Sequence, residues 1–392
     1  MPFDNCPELE RARDGQVRRF LEKNTVFMIY GSEYTPMRLF QFLVFLCLIL
    51  SVSVCGFTSQ SPAQIHTTSA AAVLTTPAGS GDWKFVVFAD SPDPDRNTTT
   101  GVSPGLIPIA RAVAAEKPDL AIYMGDLVNG WMLTNISPME GNYTGQFENW
   151  MKYVAPIHNY TEGTGIPLYV IRGNHEDGPN QNIAPLLDAY RATAAAGMPV
   201  NGPPGEEKLT YSFTHRGAKF LLNDNYIAHN GLKETVNQSW VTGQLTQDTK
   251  PFTFVFGHSP AYVVVNDTED EDFAIAVHPP QRDLFWKSMV DNNVSAYFSG
   301  HAHLYVRSES QGVRQIVSGN AGAHAIQFDP AEVDPALTLE NPLKAIARDD
   351  QRVGYLVITV HEGTGTFDGV EKQLNPVTGA WETGDTFTLK AR

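Results

Sequence analysis

The stretch Leu168-Tyr169-Val170-Ile171-Arg172-Gly173-Asn174-His175-Glu176 carries the pattern on which the chain is built. Four apolar residues, enough for a short buried strand, run up to a glycine. Three side chains that can bind a metal or move a proton follow directly. The pattern recurs on both sides. Upstream, Lys84–Ala89 (KFVVFA) ends in Asp90, and Leu120–Met124 (LAIYM) ends in Gly125-Asp126. Downstream, Phe252–Phe256 runs into Gly257-His258, and Ser295–Phe298 leads to Gly300-His301-Ala302-His303. In open α/β sheets ligands bind beyond the carboxyl ends of the strands. One such end means little, because a lone histidine usually packs in a core or lies on the surface. Five in one chain, all bearing Asp, Asn or His, form a metal-site pattern. Cys6, Cys47 and Cys55 all precede residue 56, so ligands beyond it must be His, Asp, Glu or Asn. That set suits Mn, Fe or Zn. A carboxylate can bridge two such ions, and a pair of them clamps the attacking and leaving oxygens of a phosphoryl transfer.

Between these strands the sequence reads as helix at Ile107–Ala115, Phe147–Ile157, Ile183–Ala194 and Gln281–Val290. Further strands are expected at Thr210–Phe213, Phe220–Asn223, Tyr355–Val360 and Thr386–Leu389. Alternating β and α elements followed by more β predict an α/β fold of two packed sheets with helices outside. The chain has 392 residues, 42% hydrophobic and 18% charged, enough for a sizeable core. The formal charge of -15 argues against a nucleic-acid partner, since a phosphate backbone rewards a basic face. It leaves a phosphorylated substrate open, because bound metal ions invert the local sign of a site.

The N-terminal region is of another kind. Leu39–Val54 (LFQFLVFLCLILSVSV) is apolar on every side, preceded by Arg38, and no Lys or Arg follows until Lys84. The run is slightly short of the about 20 residues of a full span. The charge asymmetry predicts an N-terminus inside and the remainder outside the cytoplasm. A retained membrane anchor, a cleaved signal peptide and a lipid anchor at Cys55 all fit. The expected organisation is therefore an extension with this segment over 1–56, a spacer over 57–82 rich in Ser, Thr, Ala and Pro, and one domain over 83–392. Seven N-x-S/T sequons, at Asn97, Asn135, Asn142, Asn159, Asn237, Asn266 and Asn293, agree with an external, glycosylated domain. Protease added to intact cells should reach it.

Taken in order, GD (125–126), GNHE (173–176), GHSP (257–260) and GHAH (300–303) resemble the calcineurin-like metallophosphoesterase superfamily. GHSPAY and GHAHLYVRS are most similar to its purple acid phosphatase branch, and the likeness extends from Trp83 to His303 with VSGNAG at 317–322. The resemblance implies a four-layer α-β-β-α sandwich and hydrolysis of a phosphate ester by a metal-bound hydroxide. It implies that Asp126 bridges two divalent or trivalent ions. Asn174, His258 and His301 would hold the second ion, and Asp90 and His303 the first. His175 would protonate the leaving group.

Two departures stand out. The family's first motif is Asp-x-His, but here it is Asp90-Ser91-Pro92, and proline cannot ligate. The purple branch carries a tyrosine three residues after the bridging Asp, where this chain has Asn129. Asn129, Asp93 or Asp95 is then expected to complete the first site, and no tyrosinate charge-transfer band is expected. Arg307 can either touch a substrate phosphate or brace the sheet. His215, His278 and the acidic Thr268–Asp272 read as surface features, and Ser259 lacks the Gly-x-Ser-x-Gly elbow of a serine hydrolase. A phosphodiesterase or nucleotide hydrolase on the same scaffold, and a non-catalytic surface-binding relative, remain as alternatives. Pro92 favours the last and His175 opposes it.

Overall fold

The computed structural model describes residues 81–178, 184–265, 275–326, 328–341 and 352–391. The apolar run 39–54, the three cysteines, most of the spacer, Asn266 and Thr268–Asp272 lie outside them. Among the described residues no helix is long and apolar enough to cross a membrane.

One sheet is built from β1 (Trp83–Phe88), β2 (Leu120–Met124), β5 (Leu168–Ile171), β13 (Gly354–His361), β14 (Thr366–Leu374) and β15 (Trp381–Lys390), in the order β15-β14-β13-β1-β2-β5. β3 (His158–Asn159) and β4 (Thr164–Gly165) form a small ribbon before β5. The other sheet contains β6 (Tyr211–His215), β7 (Ala218–Leu222), β8 (Phe252–Phe256), β9 (Ala296–Ser299), β10 (Tyr305–Ser310), β11 (Val313–Ser318) and β12 (Thr338–Leu339), in the order β12-β10-β11-β9-β8-β7-β6. Both sheets are mixed. β1, β2 and β5 are parallel neighbours, as are β7, β8, β9 and β11, and antiparallel strands flank each group.

The period of two along each strand decides what faces what. Phe85 of β1 points between the sheets and meets Phe220, Phe254, Phe256 and Phe298, with ring centroids 5.0–6.5 Å apart. Phe88, on the opposite face of β1, packs on Tyr123 at 4.8 Å, and Tyr123 on Trp150 at 5.2 Å. Trp150 belongs to α2 (Tyr143–Tyr153), which covers that outer face with α1 (Leu106–Glu116) and α3 (Ala184–Ala192). On the far side Tyr297 of β9 meets Phe285 and Trp286 of α5 (Pro279–Asp291), which packs there with α4 (Gln238–Thr246). The result is the expected helix–sheet–sheet–helix sandwich.

Local chemistry starts the helices where they are needed. The Asn142 side chain accepts from Gly145 N at 3.1 Å and caps α2, and Asn237 accepts from Trp240 N at 3.2 Å and caps α4. Both residues are also sequon asparagines. Two prolines open α5, where their missing N–H groups cost nothing. β1, β2, β5, β8 and β9 are all parallel-sheet strands, and the loops at their carboxyl ends carry the five ligand-bearing segments, four of them with a glycine.

Candidate metal centre

Asp90, Asp126 and His301 all have positive φ, at 68°, 52° and 69°. Such backbone is costly for residues other than glycine and collects at functional sites. Here it turns three side chains back over the strand ends. The turns fit only with glycine beside them. A Cβ on Gly173 would stand 2.0 Å from Asp126 Oδ1, and one on Gly300 2.5 Å from Asp90 Oδ2.

Two ligand groups result, and they share one residue. Ligand atoms of Asp126, His258 and His301 lie within 4.8 Å of one another, and so do those of Asp90, Asp126 and His303. Asn174 joins the first group, its Oδ1 lying 3.0 Å from both His258 Nε2 and His301 Nδ1. The carboxylates are held from behind. Asp90 accepts from His301 N at 2.9 Å, and Asp126 Oδ1 accepts from His175 N at 2.9 Å.

Backbone carbonyls fix the histidine tautomers. His258 Nδ1 donates to Met124 O at 2.7 Å and His303 Nδ1 to His324 O at 2.7 Å, so each turns Nε2 toward the carboxylates. His175 Nδ1 donates to Asn129 O at 3.0 Å, leaving its Nε2 3.7 Å from Asp126 Oδ2. Burial would lower the His258 pKa, yet Asp126 and Asp90 outweigh it and push it up to about 9. Burial would raise Asp126, but His175 and His258 draw it below the usual carboxylate range. A proton thus stands where a cation would serve, and the donor set of carboxylate, amide and imidazole suits a borderline or hard ion. At His175 burial wins over Asp126 and lowers the imidazole below its ordinary value.

A family model for calcineurin-like phosphoesterases matches residues 84–305. The chain belongs to the calcineurin-like phosphoesterase family. No curated protein sequence matches it. Among solved structures, purple acid phosphatase PPD1 from yellow lupin (Lupinus luteus) seeds superposes with a TM-score of 0.56 at 18% identity, over 80% of this chain and 55% of the lupin protein. PhoD superposes with a TM-score of 0.56 at 12% identity, over 81% of this chain and 71% of PhoD. At such identities the likeness shows the fold. The chain spans little more than half of the lupin enzyme.

Within this family site the six metal-ligand candidates, Asp90, Asp126, Asn174, His258, His301 and His303, come together, with His175 beside them. The expected supplements do not. Asn129 is engaged with the backbone of Asp93, accepting from its N at 2.9 Å and donating to its O at 3.0 Å. The Asp93 and Asp95 carboxylates accept from Asp95 N at 3.0 Å and Asn97 N at 2.9 Å, the bonds of a turn. Among the described residues the first group therefore offers three candidate ligands, Asp90, Asp126 and His303. Arg307 corrects the phosphate-contact reading. Its Nε donates to Asp385 at 2.9 Å and its Nη1 to Glu340 at 2.8 Å, and it lies over the Phe387 ring at 4.7 Å. It joins β10 of one sheet to β15 of the other and braces the sandwich. His215 lies against Asp119 and Trp83, His278 faces Glu234, and Ser259 bonds to Tyr226.

Glu176, the last residue of the GNHE motif, neither belongs to a ligand group nor faces the cluster as a proton donor; it holds the loops together. Its buried carboxylate accepts from Gly173 N at 2.7 Å, Leu127 N at 2.8 Å, Asp126 N at 3.0 Å and Val128 N at 3.2 Å. It ties the loop after β5 to the loop after β2. Burial and the adjacent Asp126 charge push its pKa up to about 8 despite those donors. The available signal was a Glu three residues after Gly173, the spacing of a capping box. A second brace was missed. Arg172, fully buried, pairs with Asp177 in its own segment after β5 and with Asp224, which follows β7 of the other sheet. Removing one partner of such a pair costs about 3–5 kcal/mol.

Proposed function

We propose that this domain is a two-metal phosphoester hydrolase acting on a phosphorylated small molecule. The observation that supports it best is Asp126, shared by both ligand groups with the His175 imidazole 3.7 Å away. Asp90, Asp126 and His303 would hold the first ion, and Asp126, Asn174, His258 and His301 the second. Mn, Fe or Zn fits this set. When bound, such a pair supplies Lewis acidity and an activated water.

The chain's own residues do the rest. Asp126 and Asp90 draw cations into the site. Asn129 O holds the His175 ring so that Nε2 faces the ligand cluster. That nitrogen is placed to give its proton to the oxygen that leaves, a contribution of typically about 10²–10⁴-fold. The lowered pKa makes His175 a readier donor than a free imidazole, and its protonated fraction falls as pH rises, so turnover should decline on the alkaline side.

A panel of phosphate esters assayed with purified, metal-reconstituted protein tests the reading. His175→Ala should keep its metal, lose most activity on alkyl phosphates and lose less on nitrophenyl phosphate, whose leaving group departs without a proton. Equal losses on both would reduce His175 to a positioning role. A metal-loaded wild type inactive on every ester would favour the non-catalytic relative.

A further inference from the structure

Between α1 and the outer strands of the first sheet lies an open cleft of about 520 Å³, with Arg111, Glu116, Tyr355, Lys372 and Trp381 in its walls. A volume of this order suits a small organic molecule. None of the six metal-ligand candidates lines it. The strand register explains how three of its side chains meet. Tyr355 of β13 lies directly opposite Lys372 of β14, and Leu374, two residues on, lies opposite Trp381 of β15. The period of two therefore sets Tyr355, Lys372 and Trp381 on one face of the sheet. Trp381 reaches that face because β15 carries one extra residue. Glu371 pairs with Asp385 and Lys372 with Thr383, so Gly384 between them has no partner and forms a bulge. Without it Trp381 would share the face of Phe387, which packs on Phe367 between the sheets. Instead its ring meets that of Tyr355 edge-on, with centroids 5.0 Å apart, and is half-buried.

The charges of the cleft do not balance. Glu116 is engaged, pairing with Lys84 Nζ at 3.2 Å and accepting from Tyr355 Oη at 3.5 Å. Arg111, exposed, and Lys372, half-buried, have no side-chain hydrogen bond or ion pair among the described residues. Elsewhere Arg172, Arg216, Lys233 and Arg307 each hold a carboxylate. In a chain with 43 acidic against 28 basic residues, two unmatched cations in one cleft reverse the local sign. They do so beside an aromatic wall.

We propose that this cleft is a second binding site, for an aromatic carboxylate, with the ring against Trp381 and the anionic group between Arg111 and Lys372. Arg111 offers a planar fork that matches two carboxylate oxygens, and Lys372 a point charge. The ligand ring displaces water from the indole surface. The site shares no residue with the metal centre and does not depend on the hydrolase reading. Arg111 is exposed, so the charge contacts are moderate and weaken with salt.

Calorimetric titration of the full chain, loaded with Mn²⁺, tests this with 2-naphthoate and its uncharged counterpart 2-naphthamide. The amide should bind about tenfold more weakly than the acid, the loss expected for two exposed charge contacts. Arg111→Ala and Lys372→Ala should each weaken naphthoate binding about three- to fivefold and leave the amide unchanged. Trp381→Ala should weaken both ligands about fivefold, and Trp381→Phe, which keeps a ring on β15, should recover part of that loss. Saturating orthophosphate, a ligand for metal ions, should leave naphthoate binding unaffected. Displacement by orthophosphate would put naphthoate at the metal centre and overturn the proposal. Equal binding of acid and amide would overturn it too, as would full affinity in both Arg111→Ala and Lys372→Ala, or a wild type that binds no naphthoate at millimolar concentration.

Discussion

On one side of Asp126, Asn174, His258 and His301 offer three further donors, all buried. On the other side stand Asp90, buried, and His303, whose side chain is partly exposed. The first side is closed over by its own sequence, since each donor follows a glycine at a strand end or sits one residue beyond it. The second side is where the sequence departs from the Asp-x-His motif, at Pro92. The side chains that stand near the gap have other work: Asn129 holds Asp93, and Asp93 and Asp95 hold their own turn. The two ion sites proposed around one shared carboxylate therefore need not bind alike. The buried four-donor set should be the tight one, and the three-donor set the exchangeable one.

The strongest way to break this comparison is to remove what the two halves share. Asp126→Ala should empty both sites and bring activity to background, beyond the about 10–100-fold cost of losing a supporting group. Elemental analysis that finds wild-type metal in this variant would refute the shared role. Single-sided variants come next in size. His258→Ala should remove the buried ion and most activity. His303→Ala should remove only the exchangeable ion and raise the metal concentration needed for half-maximal activity. Graded chelation of the wild type should release the ions in two steps, and a single step would equalise the sites.

The same contrast explains what was legible in the sequence. The ligand-bearing strands were readable because each is a short apolar run with a small residue within two positions of its end. Leu120–Met124, Leu168–Ile171 and Phe252–Phe256 stand where they were expected, to the residue. β10, β11, β14 and α4 were not read. Tyr305–Ser310 carries Arg307, Ser308, Glu309 and Ser310, too polar to suggest a buried strand. Its burial depends on Asp385 and Glu340, far along the chain, for Arg307, and on Gln315 O, 3.3 Å from Ser308 Oγ. In β14 the buried position 371 is a glutamate, which breaks the alternation. α4 has Gly243 and two threonines, weak helix formers, and owes its start to the Asn237 cap. The donors of the site were visible for a similar reason. They are local to the strand ends, whereas the groups that orient them, Glu176, Met124 O and His324 O, act through the fold and leave little trace in the sequence.

The smallest expected effect is on stability, and it separates the metal-free centre from the loaded one. His258 has its folded pKa raised to about 9 against an ordinary value near about 6.5. A group raised on folding stabilises fully below its unfolded pKa, and that stability is lost as pH rises through the folded one. Glu176, pushed up to about 8, acts in the same direction. Asp126 is shifted the opposite way, but its contribution changes only in acid, below this window. The Tm of chelated protein should therefore fall by several degrees between about pH 6.5 and about pH 9. In the loaded protein the cation takes the place of the His258 proton and offsets the Asp126 charge that raises Glu176. Its Tm should change less over the same interval. Binding should also release protons, so that apparent metal affinity rises with pH. Thermal unfolding of both forms across the window checks this. Parallel curves would mean that the proton on His258 and the bound ion do not compete for one position.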